Sequence, residues 1–408
     1  MAVLAAVISL FVLSLIPRLL RFIREQWHLR TVSRDIPGPS ELPVLGAAHH
    51  FNCPPNEQIR FVFDLTDRLR AEGESMLKFW FVTRLYVLPL DGATAKSLLD
   101  SSEEIVKGSD YDMLLPWLGT GILNSTGEKW RTRRRLLTPT FHFNMLEGYM
   151  STFDEQARIL ISALDEFVGS PVDIAPFLKR CALDIICQTA MGVRIEAQAN
   201  PRHPYVVAVA EMNALLLEYG MRPINWLPPV WWVSGRYRRY HQALGTLTAF
   251  AKKVIAERRA TLQERWAAGE ETAKTLPGGR SCFLDMLLDM ERRGELDGED
   301  VREEVDTNIF GGHDTTATSV GWALWCLACH PEYQEKARQE VLGVMGNDIN
   351  ASPTIDQLKE MPYLSSCIQE ALRLRPPAPM FMRCLQNDLK MGKYTVPKDA
   401  TVLVPIIL

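Results

Sequence analysis

The sequence has little of what would place it in several broad classes. Its 45 Lys and Arg against 49 Asp and Glu give a formal net charge of −4, so it lacks the cationic excess that a nucleic-acid surface needs. The eight cysteines, Cys53, Cys181, Cys187, Cys282, Cys326, Cys329, Cys367 and Cys384, lack the dense, regular spacing of a secreted disulfide scaffold, which points to a reducing compartment. Cys326 and Cys329 make a Cys-x-x-Cys, but no second pair accompanies it, which argues against a metal or redox role. There is no internal repeat and no low-complexity tract, and strand signals are few. What is present is 47% hydrophobic residues, enough to bury a large core.

One more absence organises the rest. No proline lies between Gly298 and His330, and Val305, Ile309, Phe310, Val320, Ala323, Leu324 and Leu327 keep a helical period. They predict a single helix roughly 48 Å long at about 1.5 Å per residue. Its middle, Gly311-Gly312-His313-Asp314-Thr315-Thr316, is a poor helix former: each glycine costs about 1 kcal/mol against alanine, and the threonines are β-branched. Three explanations are open. Another body approaches the bare backbone, with Asp314 and Thr315 carrying protons or holding water there. Alternatively the glycines serve tight packing on a second helix. Or His313-Asp314 is a metal-binding doublet of the phosphohydrolase kind, which needs further ligands from neighbouring helices.

Ala2 to Ile16 carry no charge and are followed by Pro17, Arg18, Arg21 and Arg24. A cleaved signal peptide wants positive charge before the apolar run, so residues 1–23 read as a membrane anchor with the body of the protein cytosolic. Residues 24–46, with Ile36-Pro37-Gly38-Pro39, read as a stiff proline-rich hinge, and residues 47–408 as the body. Met76 to Phe81 and Leu85 to Leu88 predict a hairpin, Asp91 caps a short helix to Leu99, and Tyr394 to Val396 and Thr401 to Ile407 predict strands. Helices are expected over 204–218 and 236–266, and a polar surface loop from Ala268 to Arg280. Trp226, Trp231 and Trp232 in the connector suit either a membrane interface or the core. The fold class is therefore mainly α with a small β-sheet (α+β).

Two clusters of charge stand out. Trp130 and Arg134 share one helix face within Gly127 to Arg135, a segment that is either a solvated basic surface or a clamp for a bulky carboxylate. Glu370 and Arg373 lie one turn apart on a helix begun by Pro362 and ended by Pro376-Pro377. Exposed, such a pair contributes little; buried, it would be a structural keystone.

The order of these parts, anchor, Pro-Gly-Pro hinge, Trp-x-x-x-Arg, the Gly-Gly-His-Asp-Thr-Thr helix and Glu-x-x-Arg before Pro-Pro, resembles the cytochrome P-450 haem-thiolate monooxygenases over essentially the whole chain. Trp117 to Leu123, Leu137 to His142, Glu304 to Thr307 and His330 to Gln334 look like the microsomal family 4 group of fatty-acid hydroxylases. The resemblance implies the P-450 fold and haem b (iron protoporphyrin IX). It implies electrons from NADPH through a cytochrome P-450 reductase, a small lipophilic substrate, and the endoplasmic reticulum membrane. By the same resemblance Asp314 and Thr315 activate oxygen, Gly311 and Gly312 let haem and oxygen approach, and Trp130, Arg134 and Arg383 hold the haem propionates. Glu370 and Arg373 become the buried pair behind the haem.

This sequence departs from the family at two places. Many family 4 members carry a glutamate where Gly311 stands, so an ester to haem is impossible and the cofactor is expected to be non-covalent. The Phe-x-x-Gly-x-x-x-Cys-x-Gly loop that holds the iron-ligating cysteine is missing, and Cys384 lacks its glycine-rich approach, so no residue here is assigned to the metal. The expectation is a chain truncated at its C-terminus and inactive as given. Its alternative role is that of a haem-free, membrane-tethered interaction protein.

Overall fold

A computed structural model describes residues 2–138, 148–269, 282–346 and 351–406, with side chains from residue 16 onward. Helix α1 (Ala2–Val32) runs unbroken through Pro17 and continues over residues 24–32, which the sequence reading assigns to the hinge. The membrane anchor at 1–23 finds no support here: among the described residues no helix is long and apolar enough to cross a membrane. The apolar side chains of residues 2–15, on which that expectation rests, lie outside the described set. The Pro-Gly-Pro stretch is extended instead. Pro37 lends its carbonyl to Lys78 N at 2.8 Å, and a Cβ on Gly38 would meet Lys78 O at 2.6 Å, so the stretch lies tight against the first strand.

After α2 (Pro55–Ala71) come β1 (Met76–Phe81) and β2 (Arg84–Pro89), the predicted hairpin, in register Met76↔Pro89 to Phe81↔Arg84. Asp91 caps α3 (Gly92–Leu99) by accepting from Thr94 N at 2.7 Å. Four more strands come from the far end of the chain: β3 (Met380–Cys384), β4 (Leu389–Met391), β5 (Tyr394–Val396) and β6 (Thr401–Pro405). The main sheet has the order β1-β2-β6-β3, with β6 parallel to β2 and antiparallel to β3; β4 and β5 pair separately. Met76, Trp80, Val87, Val402 and Leu29 of α1 form one apolar layer of this sheet, and Phe51, Leu65, Phe79 and Leu88 form the other under α2.

The helical body comprises α4 (Leu115–Leu118), α5 (Gly127–Leu137), α6 (Met150–Asp165), α7 (Ala175–Thr189), α8 (Pro204–Met221) and α9 (Pro228–Val233). It continues with α10 (Arg236–Ala267), α11 (Phe283–Arg292), α12 (Gly298–Cys329), α13 (Pro331–Met345), α14 (Ile355–Lys359) and α15 (Pro362–Leu374). The fold is thus mainly helical with small sheets, as expected. Helix α12 is the proline-free stretch, 32 residues long, opened by a reciprocal cap between Asp297 and Asp300. The largest core surrounds its first half, gathering Trp117, Leu137, Leu183, Tyr205, Met212, Leu247, Leu287 and Ile309. Of the connector tryptophans, Trp231 is buried and Trp226 donates to Tyr219 O at 2.9 Å, whereas Trp232 is 68% exposed. Most of the polar loop expected at Ala268 to Arg280, residues 139–142 of the Leu137 to His142 motif, and residue 407 lie outside the described residues.

Candidate functional site

The middle of α12 resolves its own helix-weakening residues into two faces. A Cβ on Gly311 would meet nothing within 4 Å, whereas one on Gly312 would come within 2.6 Å of Ile186 Cδ1 on α7. Gly312 therefore serves close helix packing, and only Gly311 leaves backbone open to an approaching body. Thr315 lies one turn on from Gly311 along the open face, where its Oγ1 donates to Gly311 O at 2.6 Å; Ser319 repeats the pattern onto Thr315 O at 2.8 Å. These hydroxyls satisfy themselves on the preceding turn.

The other face is engaged by neighbouring helices. The Asp314 carboxylate lies 2.8 Å from Lys179 Nζ on α7 and accepts from Asn213 Nδ2 on α8 at 3.1 Å. His313 is fully buried, its Nδ1 3.0 Å from Ile309 O, and burial holds its imidazole below the usual histidine range. Asp314 and Thr315, adjacent in sequence, are thus held by different partners on different sides of α12. The doublet His313-Asp314 recruits no metal ligands, and among the described residues no three His, Cys, Asp or Glu are grouped to hold an ion. Lys179 and Asn213 are invisible in the sequence, since Lys179 looks no different from its neighbour Arg180 until Asp314 arrives from α12.

On α5 the four arginines divide by face. Arg133 is buried and ion-paired to Asp300, with Glu304 3.9 Å away, which corrects the view of this segment as wholly surface. Desolvation pushes the Glu304 carboxyl up to about 7, against the opposing pull of Ile122 N and Arg133. Arg134 is exposed, its guanidinium has no acceptor among the described residues, and Trp130 beside it is half-buried. Arg131 Nη2 donates to Ser102 O at 3.0 Å, and Arg383 Nη1 of β3 donates to Glu104 O at 3.0 Å, so one short segment links α5 to β3.

Arg383 Nε is buried without a partner, and desolvation lowers this guanidinium's pKa. Lys107 is lowered as well, by desolvation and then by the like charge of Arg383. Arg383 and Lys107 at one end of the segment and Arg134 on the helix at its other end are under-partnered cations, groups of the chemistry that pairs with a carboxylate-bearing cofactor.

Glu370 and Arg373 form a bidentate pair at 2.6 and 2.8 Å, but their side chains are 55% and 68% exposed. The expected buried keystone is therefore a surface pair here, with solvent screening most of its attraction. Cys384 is half-buried, and desolvation followed by Asp399, Asp110 and Glu104 raises its thiol, which keeps it protonated and a poor metal ligand.

Residues 36–408 match the family model described as Cytochrome P450. Cytochrome P450 4c3 of Drosophila melanogaster is 36% identical over 381 residues, covering 90% of this chain and 71% of the relative. Cytochrome P450 4V2 of Homo sapiens is 35% identical over 407 residues, covering 97% and 76%. Cytochrome P450 4V2 of Pongo abelii is 36% identical over 408 residues, again covering 97% and 76%.

Proposed function

This chain belongs to the cytochrome P450 family of haem monooxygenases, and from that premise we propose that it hydroxylates fatty acids at their omega end. The observation that carries the haem side of this reading is Arg383, a half-buried guanidinium whose Nε is shut away without a partner, beside a second desolvated cation. Arg383, Arg134 and Trp130 would hold the propionates, and Gly311 would admit the ring to the open face of α12. Haem, when bound, supplies the iron at which O2 is activated. Thr315 Oγ1 holds a proton on that open face, and Asp314 would hold a carboxylate one residue away, kept by Lys179 and Asn213 on another side of α12. Gly311 offers no carboxylate for an ester, so the cofactor would be non-covalent and extractable. Gly312 is left out of this site by its packing on Ile186, and Glu370 with Arg373 acts on the proximal side only if another segment covers the pair.

Electrons would come from NADPH through a cytochrome P450 reductase. The uncharged run Ala2 to Ile16 within α1 supports attachment to the endoplasmic reticulum membrane, with residues 47–408 as the catalytic body. No cysteine among the eight sits in a Phe-x-x-Gly-x-x-x-Cys-x-Gly loop, which supports a second reading, that these 408 residues expressed alone neither ligate iron through sulfur nor turn over.

The test compares the 408-residue polypeptide with a fusion continued after Leu408 by the C-terminal segment of human cytochrome P450 4V2. Each is supplied with haem, reductase, NADPH and a saturated fatty acid. The fusion is expected to show a thiolate-type band in the reduced carbon monoxide difference spectrum and to yield omega-hydroxy acid; the unfused chain should do neither. Oxidation of other lipophiles with fatty acids untouched would overturn the substrate assignment. A thiolate band from the unfused chain would overturn the second reading.

A further inference from the structure

Burying a carboxylate is costly unless a cation or several donors meet it. Glu104, in the segment between α3 and α4, is 3% exposed and forms no ion pair among the described residues. Its side chain is spent on the turn that follows β3. Oε2 accepts from Gln386 N at 2.6 Å, and Oε1 accepts from Asn387 Nδ2 at 3.2 Å.

The main chain of the same residue reaches back to the strand itself, where Arg383 Nη1 donates to Glu104 O at 3.0 Å. Glu104 thus holds the arginine with its backbone and the turn beyond it with its side chain. The neighbouring residues fix it in that place. Ser101 Oγ accepts from Glu104 N at 3.1 Å. Strand β3 is an edge of the main sheet, and its Met382 N and Cys384 N donate to Tyr111 Oη at 3.2 Å and Val106 O at 3.0 Å.

This arrangement orients Arg383 without cancelling its charge. A carboxylate in the position of the Glu104 carbonyl would neutralise the guanidinium, but the Glu104 acid group is occupied by Gln386 and Asn387. Arg383 therefore receives a neutral acceptor on Nη1, has no carboxylate partner among the described residues, and keeps Nε unpartnered.

We propose that Glu104 is a positioning residue for Arg383: its buried side chain anchors the turn after β3 so that its own carbonyl aims a guanidinium left free for a haem carboxylate. The haem part rests on the reading of Arg383 as a propionate ligand; the hold of Glu104 on Arg383 does not.

The hold is read in the 408-residue chain without haem, labelled with nitrogen-15 arginine, where Arg383→Lys identifies the Arg383 Nε–H signal. Glu104→Ala is expected to move that signal to the position of a free guanidinium. Glu104→Gln should leave it in place, because the amide oxygen still accepts from Gln386 N and Asn387 can turn its amide to accept in turn. An unmoved signal in folded Glu104→Ala overturns the proposal. In the fusion, haem transfer to excess apomyoglobin should run about tenfold faster for Glu104→Ala and within about twofold of the parent for Glu104→Gln. Equal acceleration by both variants would make the charge of Glu104 matter rather than its grip, and would overturn the positioning role. In an Arg383→Ala background, Glu104→Ala should add less than about twofold; the full tenfold there would show a structural role independent of Arg383 and overturn the proposal. Should Arg383→Ala alone leave haem transfer unchanged, the propionate reading fails and the haem part falls with it, while the nitrogen-15 signal still decides the hold.

Discussion

The two halves of α12 invert the usual rule of what lies inside. From Val301 to Ile309 the helix buries Arg302, Glu303, Glu304, Asp306 and Thr307 along with its aliphatic residues. From Val320 to Trp325 it exposes apolar groups instead: Val320 is 41% exposed, Leu324 45% and Trp325 51%, and Ile368 and Leu372 of α15 are exposed too. The first half is finished, since its charges find opposite charges: Arg302 with Glu299 and Asp306, and Arg133 with Asp300 and Glu304. The second half presents an apolar surface of the kind that marks a binding face. Burial along one helix is set by what packs on it, and Gly311 marks where the finished packing gives way to the open face.

The sharpest way to break the contrast is Arg133→Ala at about pH 8. It strands the buried Glu304 without its cation, leaves Asp300 only Lys129 at 3.6 Å, and is expected to cost about 3–5 kcal/mol in urea unfolding. At the junction, two neighbouring glycines should respond with opposite signs. Gly312→Ala drives a methyl into Ile186 and should destabilise by about 1–3 kcal/mol, while Gly311→Ala points into open space and should stabilise the haem-free chain by up to about 1 kcal/mol. Equal effects would mean that the two faces are not distinct.

The third test is a pH difference. Folded Glu304 is raised from 4.5 to about 7, so it binds its proton more tightly in the native state than in the unfolded one. That contribution is full below the unfolded value and is lost as pH rises through the folded one. Between about pH 5 and 8 the native sequence should therefore lose on the order of 2–3 kcal/mol relative to Glu304→Gln. A flat difference would show that ion pairing, rather than desolvation, governs this carboxyl. Smallest is Arg373→Ala on the open side, expected to leave the unfolding midpoint within error because the pair it breaks is solvent-exposed.

What is legible in the sequence is local. The span of α12 follows from a missing proline, the β1–β2 hairpin from its alternation, and the cap at Asp91 from residue type. What is not legible comes from distant segments meeting. Arg133 looks like its neighbours Arg134 and Arg135 until Asp300 and Glu304 arrive from α12. Strand β3, directly after Pro377-Ala378-Pro379, has no pattern of its own and exists through its ladder to β6. The division of the Gly311-Gly312 doublet depends on the position of Ile186, which no periodicity encodes.

The pairing of β6 with β2 also bears on how the protein is made. Strand β2 emerges from the ribosome early, and the strand that must lie beside it follows roughly 300 residues later. At about 5–20 residues per second, the open edge of the β1–β2 hairpin waits on the order of 15–60 s during translation for its neighbour. A two-stranded hairpin is marginal in water, and an unpaired edge is a template for the wrong strand. The nascent chain therefore depends on something shielding that edge for most of its own synthesis.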